Sequence, residues 1–303
     1  FQPGCNCPGN YISGNVKKMA SPVFDHDFTI SWCPGCGNYS ILTALKQALT
    51  DMEVRPHEAV IVSGIGQAAK LCHYLNCNFF NGLHGRALPL ASAVKIANSD
   101  LRVIVNSGDG DAYGEGGNHF IHALRRNINL TLITHNNQIF GLTKGQASPT
   151  AERGTVTRVQ TKGVFLTPFN PLAVAVTFEI PFVGRGFAGD IDHLAELMKE
   201  AISTDGFSLL DILQPCVVWD RVHTFSWYRE RVYKLEESEH DPSDPLAAIQ
   251  KAKEWGDKIP TGVFYRNREA VSYEEESPVL GDGPLVNRPF DSRKIETLID
   301  SFL

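Results

Sequence analysis

Residues 101–137 read LRVIVNSGDGDAYGEGGNHFIHALRRNINLTLITHNN, and this stretch decides the fold class. Leu101–Ser107 is a β-branched run ended by Gly108-Asp109-Gly110. Gly116–Arg126 carries a helical pattern, and Leu130–His135 is a second apolar run ended by Asn136-Asn137. The same texture extends both ways. Ala59–Ser63 reads as a buried strand and Leu88–Asn98 as a helix. Pro181–Phe187 and Leu209–Leu213 read as strands, with a helix over Asp190–Ser203 between them and Asp190 at its N-cap. Short apolar strands alternating with helices indicate an α/β fold, a parallel sheet with helices on both faces.

The two polar loops of the opening stretch follow the carboxyl ends of strands, where open α/β sheets bind ligands. Glycines at 108 and 110 let the backbone approach a phosphate closely. Asp109 can give a carboxylate oxygen to Mg²⁺, Asn137 an amide oxygen and Ile139 a backbone carbonyl, the hard donor set that Mg²⁺ shares with ligand phosphates. Alone, Gly108-Asp109-Gly110 is a turn and Asn136-Asn137 a loop. Together, at this separation on successive strand ends, they form a candidate diphosphate site.

The chain has 303 residues and a net charge of −6, which argues against a nucleic-acid partner. No apolar run reaches membrane-spanning length and no signal peptide opens the sequence, so the expected location is the cytoplasm. Seven cysteines occur, at 5, 7, 33, 36, 72, 77 and 216. In a reducing compartment these are metal ligands or catalytic groups before they are disulfides. Cys33-x-x-Cys36 by itself fits a redox pair, a zinc half-site or an iron–sulfur half-site. His119 and His122 share a helical face, but no third ligand stands at catalytic-zinc spacing; one is expected near a cofactor and the other on the sheet. Three regions follow: an extended Gly/Pro/Asn-rich segment 1–30, a binding domain 31–224, and an irregular C-terminal extension 225–303 that holds one helix, Pro245–Trp255, and is expected to wrap a partner.

Several segments, in order, resemble one family: Trp32-Cys33-Pro34-Gly35-Cys36-Gly37-Asn38, Ser63-Gly64-Ile65-Gly66, Leu83-His84-Gly85-Arg86-Ala87, Gly108-Asp109-Gly110-Asp111, Gly116-Gly117-Asn118-His119-Phe120, Phe140-Gly141-Leu142-Thr143-Lys144-Gly145-Gln146 and Leu213-Gln214-Pro215-Cys216. Gly108 through Asn137 resembles the diphosphate-binding motif of thiamine-diphosphate enzymes. The whole, from about residue 30 to 220, resembles the β subunits of 2-oxoacid:ferredoxin oxidoreductases. The resemblance implies a thiamine-diphosphate-binding fold, diphosphate-binding half, holding thiamine diphosphate, Mg²⁺ and a [4Fe–4S] cluster. It implies the CoA-dependent oxidative decarboxylation of a 2-oxoacid, 2-oxoglutarate before pyruvate, with electrons passed to ferredoxin.

By the same resemblance Gly66, His84, Gly108, Asp109, Gly110, Asp111, Asn137, Ile139, Gly141, Leu142 and Thr143 surround the cofactor. Thr143, Lys144 and Gln146 belong to a loop expected to close over cofactor or second substrate. Lys70 is expected to face the substrate carboxylate, and His84 and Arg86 to line the cofactor pocket, Arg86 holding phosphate or ordering loops. Cys33, Cys36 and Cys216 map onto three cluster thiolates. The relatives' remaining cysteine falls where this chain has Gln67, so Cys77 is expected to supply the fourth thiolate, with Cys72 as its substitute. The pyrimidine-binding half and its glutamate are implied to lie on an α subunit, which makes the active assembly a heterodimer or larger and the chain alone inactive. Two other readings stay open: a non-oxidative thiamine-dependent decarboxylase or synthase subunit, and a zinc-stapled non-catalytic subunit.

Overall fold

The computed structural model describes residues 22–289 and 291–302; Cys5, Cys7 and most of the 1–30 segment lie outside the described residues. In chain order the main elements are α1 (Asn38–Asp51), β1 (Ala59–Ser63), β2 (Asn78–Asn81), α2 (Ala87–Ala97), β3 (Arg102–Gly108), α3 (Gly117–Arg126), β4 (Leu130–Asn136), the short β5 (Ile139–Phe140) and β6 (Gln146–Ala147), α4 (Pro171–Thr177), β7 (Phe182–Phe187), α5 (Ile191–Ser203) and β8 (Phe207–Leu213). After them come α6 (Phe225–Arg229), β9 (Val232–Lys234), α7 (Pro245–Ala252) and β10 (Ile259–Arg266). The main sheet has eight strands in the order β2-β1-β3-β4-β8-β7-β10-β9. From β2 through β7 all neighbours are parallel; β10 runs antiparallel to β7 and carries β9 in parallel.

The pleat explains why both faces are covered. Ala59 and Ile61 of β1 enter one core with Ile104, Ile133, Leu210 and Ile212, packed by Ile41, Leu45 and Leu49 of α1 and Leu194, Met198 and Ala201 of α5. The alternate residues Val60 and Val62 enter the other with Val103, Val105, Leu130, Leu132 and Leu209, packed by α2, α3 and α4. Each fully buried aliphatic side chain stabilises the sheet by roughly 1.5–3 kcal/mol, so sandwiched strands read as continuous apolar runs. The Asp190 carboxylate caps α5 by accepting from His193 N at 3.2 Å. The edge strand β2 differs: all four of its residues are exposed, including Phe79 and Phe80.

The C-terminal extension adds β9 and β10 to the sheet and beyond Arg266 is mostly irregular, closing with an exposed helix, Arg293–Asp300. A part-buried ion cluster ties the start of the extension to the domain. His223 Nδ1 donates to Asp220 Oδ2 at 2.6 Å and its Nε2 to Glu152 Oε1 at 3.0 Å, while Trp255 Nε1 also donates to Glu152. Burial works against the charged imidazole, but the two carboxylates outweigh it and raise the His223 pKa to about 9. A raised histidine pKa gives stability that is complete below the unfolded value and is lost as pH rises through the folded one. The thermal stability advantage of the natural chain over a His223→Gln variant is therefore expected to shrink between pH 6.5 and about 9. An advantage that stays constant across that window in paired melting curves would contradict this.

Candidate active site

A cleft of about 170 Å³ opens at the carboxyl ends of the central strands. On one side β3 runs straight into a wide π-type turn, Gly110–Glu115, that starts on Asp109. Asp109 is buried, and its Oδ2 accepts from Gln138 N (3.0 Å), Ser148 Oγ (2.6 Å) and Thr150 Oγ1 (2.6 Å). Burial pushes its pKa up to about 6 despite those hydroxyls. Asn137 is oriented at both ends: Oδ1 accepts from Ile139 N (3.0 Å) and Nδ2 donates to Gln214 Oε1 (2.8 Å). Gly110 must be glycine because a Cβ there would sit 2.3 Å from the Phe140 ring, which forms the adjoining wall. Gly66, His84, Gly108, Asp109, Gly110, Asp111, Asn137, Ile139, Gly141, Leu142 and Thr143 all line this one cleft.

Asp111 ties the surrounding loops together. Its carboxylate accepts from Ile65 N (3.1 Å), Gly85 N (2.7 Å), His84 Nδ1 (2.5 Å) and Ser107 Oγ (2.5 Å). The loops after β1 and β2 are thus pinned to β3 by one charge, and Gly64 has no Cβ because it would lie 1.9 Å from Asp111 Oδ2. With Nδ1 donating to this carboxylate, the neutral form of His84 would keep its proton on Nδ1 and present Nε2 as the acceptor. Arg86 and Lys70 do not line the cleft. The Arg86 guanidinium donates to Gly85 O and Glu115 O at 3.3 and 3.4 Å, ordering two loops, and Lys70 Nζ donates to Ser31 Oγ at 3.3 Å. Neither His119 nor His122 is a lining residue.

On the other side stand Cys33, Cys36 and Cys216. Burial raises the Cys36 thiol to about 11, reinforced by Cys216 and Cys33 beside it. Gln214 joins the two sides: it accepts from Asn137 and donates through Nε2 to Cys36 Sγ at 3.4 Å. The expectation for Cys77 is not met by this geometry. Cys77 precedes Asn78, which pairs with Val60 near the start of β1, whereas the cleft lies past the strands' carboxyl ends. Cys77 packs against the core beside Cys72, burial raising its pKa to about 12, and Cys72 is fully buried with its Sγ donating to Ala69 O at 3.3 Å. In their place Gln67 lines the cleft. Its Oε1 is buried without a hydrogen-bond partner among the described residues, at a cost of about 1–3 kcal/mol.

Among the lining residues to which the sequence assigned no binding role are Trp32, Gln67, His135 and Gln214. His135 Nε2 lies 2.7 Å from Asn106 Oδ1, whose amide nitrogen donates to Ala68 O (2.8 Å), and its Nδ1 lies 2.8 Å from Asn38 Oδ1. Burial lowers its pKa to about 3, so the ring is neutral. The signal available in the sequence was position: His135 and Gln214 occupy strand ends, next to Asn137 and Cys216 respectively.

No three His, Cys, Asp or Glu side chains among the described residues are grouped to hold a single ion. A magnesium ion would therefore draw on the Asp109 carboxylate, the Asn137 amide, a backbone carbonyl and ligand phosphates, and the buried, cation-free Asp109 carboxyl suits that charge. The three thiols fit corners of a larger cluster, each corner taking its own ligand.

Residues 63–212 match the family model described as thiamine pyrophosphate enzyme, C-terminal TPP binding domain, and residues 216–282 match the model for the C terminal of the pyruvate ferredoxin oxidoreductase beta subunit. The chain is 45% identical over 272 residues to the 2-oxoacid:ferredoxin oxidoreductase subunit beta of Saccharolobus solfataricus, covering 84% of this chain and 88% of that one. It is 44% identical over 212 residues to the 2-oxoglutarate oxidoreductase subunit KorB of Mycobacterium tuberculosis, covering 69% and 57%. Its fold matches the solved 2-oxoglutarate:ferredoxin oxidoreductase from Magnetococcus marinus, a structure with 2-oxoglutarate, coenzyme A and succinyl-CoA bound. The TM-score is 0.85 at 32% identity, over 94% of this chain and 97% of that one. With Asp109 and Asn137 on one wall of this cleft, thiols on the other and similarity of this extent, the chain belongs to the β subunits of the 2-oxoacid:ferredoxin oxidoreductases.

Proposed function

We propose that the chain carries out the CoA-dependent oxidative decarboxylation of 2-oxoglutarate, with pyruvate the next candidate substrate, together with an α subunit in the cytoplasm. Electrons leave through an iron–sulfur cluster to ferredoxin. One observation carries the reading: Gln214 bonds Asn137 of the diphosphate wall and Cys36 of the thiol wall, within one cleft. The preference for 2-oxoglutarate rests on relatives named 2-oxoglutarate oxidoreductase or synthase subunits and on the ligand in the similar structure.

Thiamine diphosphate, when bound, supplies the carbanion for the keto carbon, and a cluster supplies a one-electron outlet. The chain's own residues position and insulate. Asp109, Asn137 and the Ile139 carbonyl would hold Mg²⁺ against the diphosphate. Asp111 fixes the loops around it and sets the His84 tautomer, leaving Nε2 to accept from a cleft occupant. Phe140 and the Gly141–Thr143 loop form an apolar wall that limits water. Lys70, which outside the cleft lining bonds Ser31, would have to swing from that hydrogen bond to meet a substrate carboxylate. The pyrimidine-side glutamate comes from the α subunit, which the C-terminal extension contacts.

The test is anaerobic purification with the co-expressed α subunit and assay of iron, acid-labile sulfide and zinc. Iron and sulfide at about four each per chain, with little zinc, are expected. Zinc without sulfide would remove the electron path. The chain alone should show no ferredoxin reduction by 2-oxoglutarate, and turnover by the isolated β chain would sink the two-subunit site.

A pH dependence follows from Asp109. With its carboxyl raised to about 6, protons compete with Mg²⁺ below that value. Affinity for Mg²⁺ and thiamine diphosphate, measured by calorimetry, is expected to weaken about tenfold per unit as pH falls below about 6. An Asp109→Asn variant should bind weakly and without that slope. A slope that survives in the variant would place the titrating group elsewhere.

A further inference from the structure

We infer that Gln67 closes the iron–sulfur site as a neutral oxygen ligand, so that the cluster hangs from the thiolates of Cys33, Cys36 and Cys216 and its fourth iron is held by the Gln67 carboxamide. This rests on the oxidoreductase reading and deepens it. Gln67 lines the same cleft as the three cysteines. Its Oε1 is buried and has no hydrogen-bond partner among the described residues, and a buried acceptor without a donor calls for an explanation such as an absent ion. The residue is held there by its backbone. Trp32 Nε1 donates to Gln67 O at 2.7 Å, and the Trp32 ring is clamped edge-on between Tyr39 and Tyr74, with centroids 5.4 and 4.9 Å away. Trp32 adjoins Cys33, so one indole ties the backbone at the first thiol to the backbone at Gln67.

The remaining described cysteines are engaged elsewhere, Cys72 in the core and Cys77 at the opposite end of the sheet. A neutral oxygen binds iron more weakly than a thiolate and leaves the cluster one negative charge short. Two properties follow: one labile iron, and a reduction potential above that of a four-thiolate site in the same surroundings.

The experiment uses the anaerobic complex with its α subunit. Oxidation by ferricyanide removes one electron from [4Fe–4S]²⁺, and the [4Fe–4S]³⁺ formed splits into [3Fe–4S]⁺ and Fe²⁺. Ferricyanide is reduced to ferrocyanide in the same step. The natural complex is expected to give the three-iron EPR signal and to lose it when Fe²⁺ and dithionite are added. Gln67→Cys should suppress that signal and lower the midpoint potential; Gln67→Ala should lose iron faster; Cys77→Ser should behave as the natural chain. The proposal is overturned if the natural complex keeps all its iron under ferricyanide. It is also overturned if a Cys5→Ser/Cys7→Ser variant becomes iron-labile while Gln67→Ala does not, which would assign the fourth ligand to the amino-terminal segment. A preparation with zinc and no sulfide fails differently, by removing the oxidoreductase reading itself.

Discussion

Arg185→Leu is expected to lose about 3–5 kcal/mol of folding stability, the cost of leaving one member of a buried ion pair without its partner. Arg185 and Asp211 face each other across the β7–β8 pairing, both buried, with Nε and Oδ1 3.9 Å apart. The guanidinium lies over the rings of Trp255 and Phe264 at 5.7 and 5.3 Å, so the extension's strand β10 covers the cation. Its Nε and Nη1 have no hydrogen-bond partner among the described residues, so what holds it is charge and ring contact. Without it, Asp211 retains, among the described residues, Tyr113 Oη at 2.9 Å and Asn136 Nδ2 at 3.1 Å. Burial already disfavours the Asp211 anion. Urea denaturation should show a lower midpoint at unchanged slope. Asp211→Asn added to Arg185→Leu should recover part of the loss, because the stranded charge is then gone. A single-variant loss below about 1 kcal/mol would show that water reaches the pair.

The second large effect belongs to Asp111. An Asp111→Ala variant should bind Mg²⁺ and thiamine diphosphate about 10–100-fold more weakly, the usual cost of removing a group that orients a metal site without touching the ion. Four donors converge on this carboxylate from two loops and strand β3. Removing it frees the loops after β1 and β2, and the His84 tautomer is no longer fixed. Asp111→Asn should be nearly as harmful, because its amide nitrogen would face donors. The readout separates this from loss of Asp109: the acid-side slope of Mg²⁺ affinity persists in Asp111→Ala and disappears in Asp109→Asn. Affinity within threefold of the natural chain would mean the loops are held by packing instead.

Much of the fold could be read locally because the central strands are sandwiched. Ala59–Ser63 has the same bounds in sequence and structure, and Leu130–His135 and Asp190–Ser203 differ by one residue at one end. Strands β2, β9 and β10 escaped the reading. NFFN is too short to show a period, and IPTGVFYR carries a proline and a glycine inside a strand that exists only because β7 offers it an antiparallel edge. The site divides the same way. That Asp109 and Asn137 share one cleft wall was legible from spacing, since both loops follow adjacent parallel strands. Which residue stands beside the three thiols was not. Cys77 is ten residues from Gln67, yet the chain reverses through the 3-10 turn Ala68–Tyr74 and starts β2 at the far end of the sheet. Amides such as Gln67 and Gln214 acquire meaning only from what the fold puts beside them.

The edge at β2 bears on how such a chain can be made. It is a short strand with one side unpaired, exposed on both faces and carrying Phe79 and Phe80, and among the described residues nothing caps it. An aromatic, uncharged edge is a template on which another copy can add a strand. Newly made chains released faster than they are assembled would accumulate as self-associating material, so synthesis balanced against the other subunits of the assembly becomes a matter of solubility as well as stoichiometry.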